Sequence, residues 1–122
     1  MLPTGFSVLL ERAVERVPGA IGAIFADWDG EAVDYVTRVD REELQLIGAH
    51  YAVILNNVQS LLRLFHFGEA VEIIVQHEKL DLCVHAVGDG YYVVLAVSSG
   101  GHLASALRET RACAAGLRRE MY

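Results

Sequence analysis

Apolar residues recur every three or four positions at Phe6, Leu9, Leu10, Ala13, Val14 and Val17, while Glu11, Arg12, Glu15 and Arg16 fill the opposite side. That period predicts an amphipathic helix. Pro18-Gly19 ends it, because proline resists helical continuation and glycine permits the turn. Residues 20–28 are apolar on both faces of a two-residue repeat, the pattern of a strand central in a sheet. Asp29-Gly30 is a hairpin signal. The return strand, about 31–38, alternates partly, with Val33, Tyr35 and Thr37 against Asp34 and Arg38. Three more strands are expected further on. In 69–78, Val71, Ile73 and Val75 share one face. In 80–87, Leu80, Leu82, Val84 and Ala86 are expected inward and Asp81, Cys83 and His85 outward. After the Gly88-Asp89-Gly90 turn, 91–98 is apolar on both faces. Gly100-Gly101 opens a last helix striped by Leu103, Ala106, Leu107, Thr110, Cys113, Ala114 and Leu117.

Between the hairpin and these three strands, residues 44–67 carry a single formal charge, Arg63. Leu44, Ile47, Tyr51, Leu55, Val58, Leu62 and Phe65 make one helical face, and Leu46, Val53, Ile54, Leu61 and Leu64 spread apolar surface onto much of the other side. Asp40 is the expected N-cap, with Glu43 three residues on in a capping-box pattern. Glu42 and Glu43 suit the positive end of the helix dipole. Gly68 is the expected terminator, and a helix reaching Phe67 would span roughly 40 Å. A helix apolar nearly all round must be buried nearly all round. His50, Asn56, Asn57, Gln59, Ser60 and Arg63 would each cost free energy in hydrocarbon, so no membrane insertion is expected. A chain of 122 residues has room for one modest core. The second face is therefore expected to meet another chain, and the protein to work by binding proteins.

Composition narrows this further. The length fits one domain, 1–122, without linker, repeat or low-complexity segment. The hydrophobic content of 53% with 21% charged residues describes a globular chain. A formal charge of −6 leaves no basic footprint for nucleic acid. Cys83 and Cys113 lack motif spacing and read as small buried apolar residues in a reducing compartment. The first residues, MLPTGF, show no basic region followed by a hydrophobic run, so a cytoplasmic protein is expected. Gly88-Asp89-Gly90 lies between strands and cannot set a helix N-terminus against a phosphate. The Lys-Ser/Thr of a nucleotide loop is missing after Gly100-Gly101. His77, Cys83 and His85 fall on adjacent strands, but with opposite apolar parity and no paired ligand motif. No catalytic residue, metal site or cofactor is expected. His50 and His66 read as interface or capping residues. Trp28, the only tryptophan, either covers the end of the sheet or anchors a protein partner. Phe25 and Asp27 lie on the other face of its strand.

Val17-Pro18-Gly19-Ala20-Ile21-Gly22-Ala23 leads through Asp27 to Asp29-Gly30 and the long helix. Ala86-Val87-Gly88-Asp89-Gly90 then precedes an apolar strand and the closing helix. In this order and spacing the chain resembles the Roadblock/dynein light chain family over nearly its whole length. The resemblance implies an α+β fold of order α-β-β-α-β-β-β-α. Its five-stranded antiparallel sheet would carry the long second helix on one face and the terminal helices on the other. It also implies a homodimer in which second helices pair antiparallel and third strands join across a two-fold axis. The implied interface is Leu44, Ile47, Tyr51, Ile54, Leu55, Val58 and Leu62 with Val71, Ile73 and Val75. Phe25, Asp27, Trp28, His50 and Asn57 are the candidates for binding a further partner.

Family members are non-enzymatic platforms for small Ras-like GTPases or for motor and scaffold complexes. The bacterial MglB/MglC branch is the most similar, which implies an adaptor in GTPase-controlled cell polarity and motility. Its expected partner is an MglB-like Roadblock protein or a polarity scaffold. Direct regulation of an MglA-like small GTPase, without an arginine finger, is the second expectation. The close at Tyr122, without the extension usual in MglB chains, favours the MglC type. A third reading, a small-ligand sensor of profilin-, longin- or PAS-like architecture, would need a cavity where Ile, Val, Leu, Phe and Tyr fill the sheet-facing positions.

Overall fold

A computed structural model describes residues 5–27, 29–100 and 102–122. Its elements are α1 (Gly5–Arg16), β1 (Ala20–Asp27), β2 (Ala32–Thr37), α2 (Arg41–Leu62), a 3₁₀ turn (Arg63–Phe65), β3 (Glu72–Gln76), β4 (Leu80–Gly88), β5 (Tyr91–Ser98) and α3 (Leu103–Met121). The strands form one antiparallel sheet in the order β2-β1-β5-β4-β3. The two strands read as apolar on both faces, β1 and β5, lie side by side within it. Their alternating side chains feed two cores. Ala23, Phe25, Val93, Leu95 and Val97 face α1 and α3, with Leu10, Val14, Cys113 and Leu117. Ile24, Ala26, Tyr92, Val94 and Ala96 face α2, with Leu44 and Leu55. The expected architecture is therefore observed, with α2 alone on one face and the terminal helices on the other.

Three local readings need correction. First, α2 ends at Leu62 instead of running to Phe67, so it spans about 33 Å. Arg63 pairs bidentately with Glu69 at 2.9 and 3.2 Å, His66 turns left-handed at φ 58°, and Gly68 follows at φ 88°. Those contacts turn the backbone, and β3 begins only at Glu72. Second, the Asp40 carboxylate does cap α2, but it accepts from the Glu42 N–H at 3.2 Å, without a reciprocal bond from Glu43. Third, Cys83 is buried as its residue type suggested, but its outward parity does not lead to solvent. It is fully buried beneath the α1/α3 layer, because both faces of the sheet are covered there.

Glycines set how closely the layers approach. A Cβ on Gly48 of α2 would lie 3.0 Å from Ile24 Cδ1, and one on Gly22 of β1 would lie 2.8 Å from the Val36 carbonyl and 3.0 Å from Leu44 Cδ1. In the β1–β2 turn, Gly30 has φ 86°, and a Cβ there would lie 2.6 Å from Ala52 Cβ. Gly30→Ala is therefore expected to destabilise the fold by roughly 2–4 kcal/mol through positive φ and overpacking together. Gly100, where the nearest atom to such a Cβ is 4.0 Å away, is the control site. Urea midpoints of the two alanine variants check this, and equal midpoints would refute the tight turn-to-helix contact.

The thiols make a second prediction. Burial pushes Cys83 up to about 11 and Cys113 up to about 12, with Asp81 and Glu109 adding to the respective effects. The folded state thus holds protons that the unfolded chain releases near about pH 8.5. Stability is expected to be full below that value and to fall as pH rises toward the folded-state values of about 11 and about 12. Urea midpoints at about pH 8 and about pH 10.5, on either side of the unfolded thiol value, measure the loss. Cys83→Ala/Cys113→Ala should lessen it.

Candidate interaction surface

The two faces of α2 have different fates. Leu44 and Leu55 are 2% and 0% exposed and lie in the core under the helix, beside buried Ala52 and Gln59. Ile47, Tyr51, Val58 and Leu62 are half-buried along the same side. Of the expected dimer interface, Leu44 and Leu55 therefore belong to the chain's own core and cannot meet a second chain. Ile73 and Val75 of β3 are half-buried against that core. Ile54 and Val71 of the expected set are exposed.

The opposite side of α2 and of the turn that continues it lies open. Leu46, Val53, Leu61 and Leu64 are each 59% exposed or more, Ile54 is 46% exposed, and none of the described residues covers them. His50 and Asn57 stand exposed among them. The sequence 46, 50, 53, 57, 61, 64 advances in steps of three and four, the spacing of one helical face. The His50 Nδ1–H donates to the Leu46 carbonyl at 3.0 Å, which can only accept. Past the helix, the rings of Phe65 and Phe67 stack at 6.4 Å, and Phe67 is 89% exposed.

Sequence reading missed the groups that fix this surface to the sheet edge. Gln59 is buried, and its side-chain oxygen accepts from the Ala70 N–H at 3.1 Å, holding the segment that leads into β3. At the far end of β3, the Tyr51 hydroxyl bonds His77 Nε2 while His77 Nδ1 donates to the Leu80 carbonyl at 3.1 Å. Arg111 of α3 holds Glu72 of β3 bidentately at 2.7 and 2.8 Å, and that guanidinium keeps the Glu72 carboxyl below its usual range. A polar residue on the inner side of an apolar helix, as at Gln59, was the available signal.

The hairpin looks different from its sequence reading. Phe25 is 1% exposed and packs edge-on against Phe6 and beside Tyr91, so it is a core residue and not a partner contact. One Asp27 carboxylate oxygen accepts from the N–H groups of Asp29 and Glu31, both at 3.0 Å, and so shapes the turn. Trp28 lies outside the described residues. A shallow groove of about 230 Å³ runs between this hairpin and α2, floored by Ile24 and Leu44 and walled by Ala32, Tyr35, Gly48 and Ala49. Among the described residues, no group of three or more His, Cys, Asp or Glu side chains could hold a metal ion. No described helix is long and apolar enough to cross a membrane.

A five-stranded antiparallel sheet between one long helix and two terminal helices, with the long helix half uncovered, is the Roadblock/LC7 fold. No protein-family model and no curated protein matches the chain. Solved structures do. A Roadblock/LC7 domain from Streptomyces avermitilis is 18% identical, with a TM-score of 0.81 over 93% of this chain and 95% of its own. MglC from Myxococcus xanthus is 25% identical, with a TM-score of 0.74 over 96% of this chain and 99% of its own. The gliding protein MglB from Thermus thermophilus is 18% identical, with a TM-score of 0.83 over 98% of this chain and 92% of its own.

Proposed function

We propose that the chain is a non-catalytic, cytoplasmic adaptor of a Roadblock-regulated polarity or gliding system. In this reading it forms a homodimer through α2 and the β3 edge and binds an MglB-like Roadblock protein or a polarity scaffold. The observation that carries it is the open row of large aliphatic side chains on α2. A monomeric globular chain seldom leaves so much contiguous apolar surface to water without a partner for it. Two further points support a second copy as that partner. The chain carries a net charge of −6, yet α2 has no formal charge between Glu43 and Arg63, so two copies can meet there without like-charge repulsion. The neighbouring β3 is an unpaired edge, a hazard that pairing with another strand removes. The likeness to MglC at 25% identity favours the adaptor role. Asp27 and Trp28 remain the candidate contacts for that further partner, without Phe25, while His50 and Asn57 stand in the α2 row that a second copy would cover. The MglB likeness favours a second reading, direct binding of an MglA-like GTPase.

Light scattering coupled to size-exclusion chromatography tests these readings, on the protein alone and with the MglB-like protein or the GTP-loaded MglA-like GTPase of the same genome. A dimer that shifts with the MglB-like protein alone is the expected result. A shift with the GTPase would make the chain a direct regulator. A folded monomer that binds neither would overturn both readings and return the small-ligand sensor. Val53→Asp should yield a monomer with a native circular-dichroism spectrum. Leu55→Asp should instead unfold the chain, since an unpaired charge in a core costs on the order of 3–5 kcal/mol. A dimeric Val53→Asp would move the interface elsewhere.

A further inference from the structure

Every helical neighbour of His50, three or four positions away on either side, is apolar: Leu46, Ile47, Val53 and Ile54. Asn57 stands seven residues on, at the same place in the next repeat, with Val53, Ile54, Ser60 and Leu61 around it. Both are exposed in the chain by itself, so neither is needed for its core. Resting on the homodimer reading above, we infer that His50 and Asn57 are the specificity positions of the α2 seam. They hold self-association weak and selective, and His50 makes it sensitive to acid. A polar side chain in an otherwise apolar helical seam fixes register and partner at a cost in stability. A protonated imidazole brought under a second copy loses its water, and none of its four helical neighbours is a carboxylate to compensate.

The other ionisable groups on and around α2 do not substitute for such a partner. Glu42 and Glu43 lie in the first turn of α2, and Arg63 is committed to Glu69. Arg41 lies over the Tyr35 ring, Tyr92 is buried on the sheet side, and Tyr51 bonds His77. In an antiparallel pair the second copy presents this same set. The neutral ring is therefore the form that suits the covered seam. Self-association is expected to be stronger at neutral pH than in acid.

Sedimentation equilibrium of the full chain measures the dimer dissociation constant at about pH 7.5 and about pH 5.5, either side of the ordinary histidine value. The wild type is expected to weaken on the order of tenfold or more across that interval. His50→Leu should tighten the dimer several-fold at the higher pH and lose the acid effect, and Asn57→Leu should tighten it and keep that effect. His77→Gln should keep it as well, which separates the seam from the Tyr51–His77 contact. Urea midpoints measured at low concentration check that the variants remain folded. A dimer whose dissociation constant ignores pH, or a His50→Leu variant as acid-sensitive as the wild type, overturns the inference while leaving the homodimer reading intact. A wild type that is monomeric at every concentration and pH overturns the homodimer reading first, and this inference with it.

Discussion

A single sheet can cover only one side of α2, and that constraint governs the rest of the molecule. Leu44, Ala52 and Leu55 take up the available face of β1, β5 and β4, and the terminal helices already occupy the other face. Leu46, Val53, Leu61 and Leu64 are left with no surface among the described residues to join. The two-core arrangement follows from β1 and β5, whose side chains are apolar in both directions and must be covered on both sides. The helix that covers one side is itself apolar nearly all round, so burying the sheet leaves a second apolar face behind. The fold thus converts a need for core into a surface.

The closeness of α2 to the sheet depends on small residues more than on large ones. Gly22, Gly30 and Gly48 form the contacts where an added methyl would collide, Gly30 against Ala52. They let Leu44 and Leu55 sink to nearly zero exposure. Phe25 does the corresponding work on the other side, wedged between Phe6 and Tyr91 at ring separations of 5.1 and 5.7 Å. Aromatic rings at such spacing favour edge-on or tilted contacts, which hold the hairpin end of the sheet against α1.

Much of this was legible in the sequence, because alternation and helical period report burial directly. The order of elements, the central position of β1 and β5, and the surplus of apolar surface on the long helix all follow from pattern alone. Which of its two apolar stripes meets the sheet does not. Leu44, Leu55 and their neighbours repeat with the same period as Leu46, Val53 and theirs, so hydrophobicity favours neither. The discriminating residues were Gly48, Ala52 and Gln59, the first two small enough for close approach and the third polar but bonded within the chain. Phe25 and Cys83 were misplaced for a related reason. A parity argument assumes one wet face, and this sheet has none at those positions. The end of α2 was set by the Arg63–Glu69 pair and left-handed His66, which no hydrophobic pattern records.

The open helix face and the β3 edge are also mechanically joined. β3 is the shortest of the five strands and pairs on one side only. An edge of that kind ordinarily frays. Here, however, Gln59 holds the backbone just before it, Arg63 holds Glu69, and Tyr51 reaches His77 at its other end. All three tethers come from α2 or the turn that continues it. A fourth, from Arg111 to Glu72, ties the strand to α3 on the opposite face of the sheet. The edge therefore cannot shift without moving the helix. A partner that engages both surfaces meets one pre-shaped body and orders little of it on binding, which keeps the entropic cost of association low.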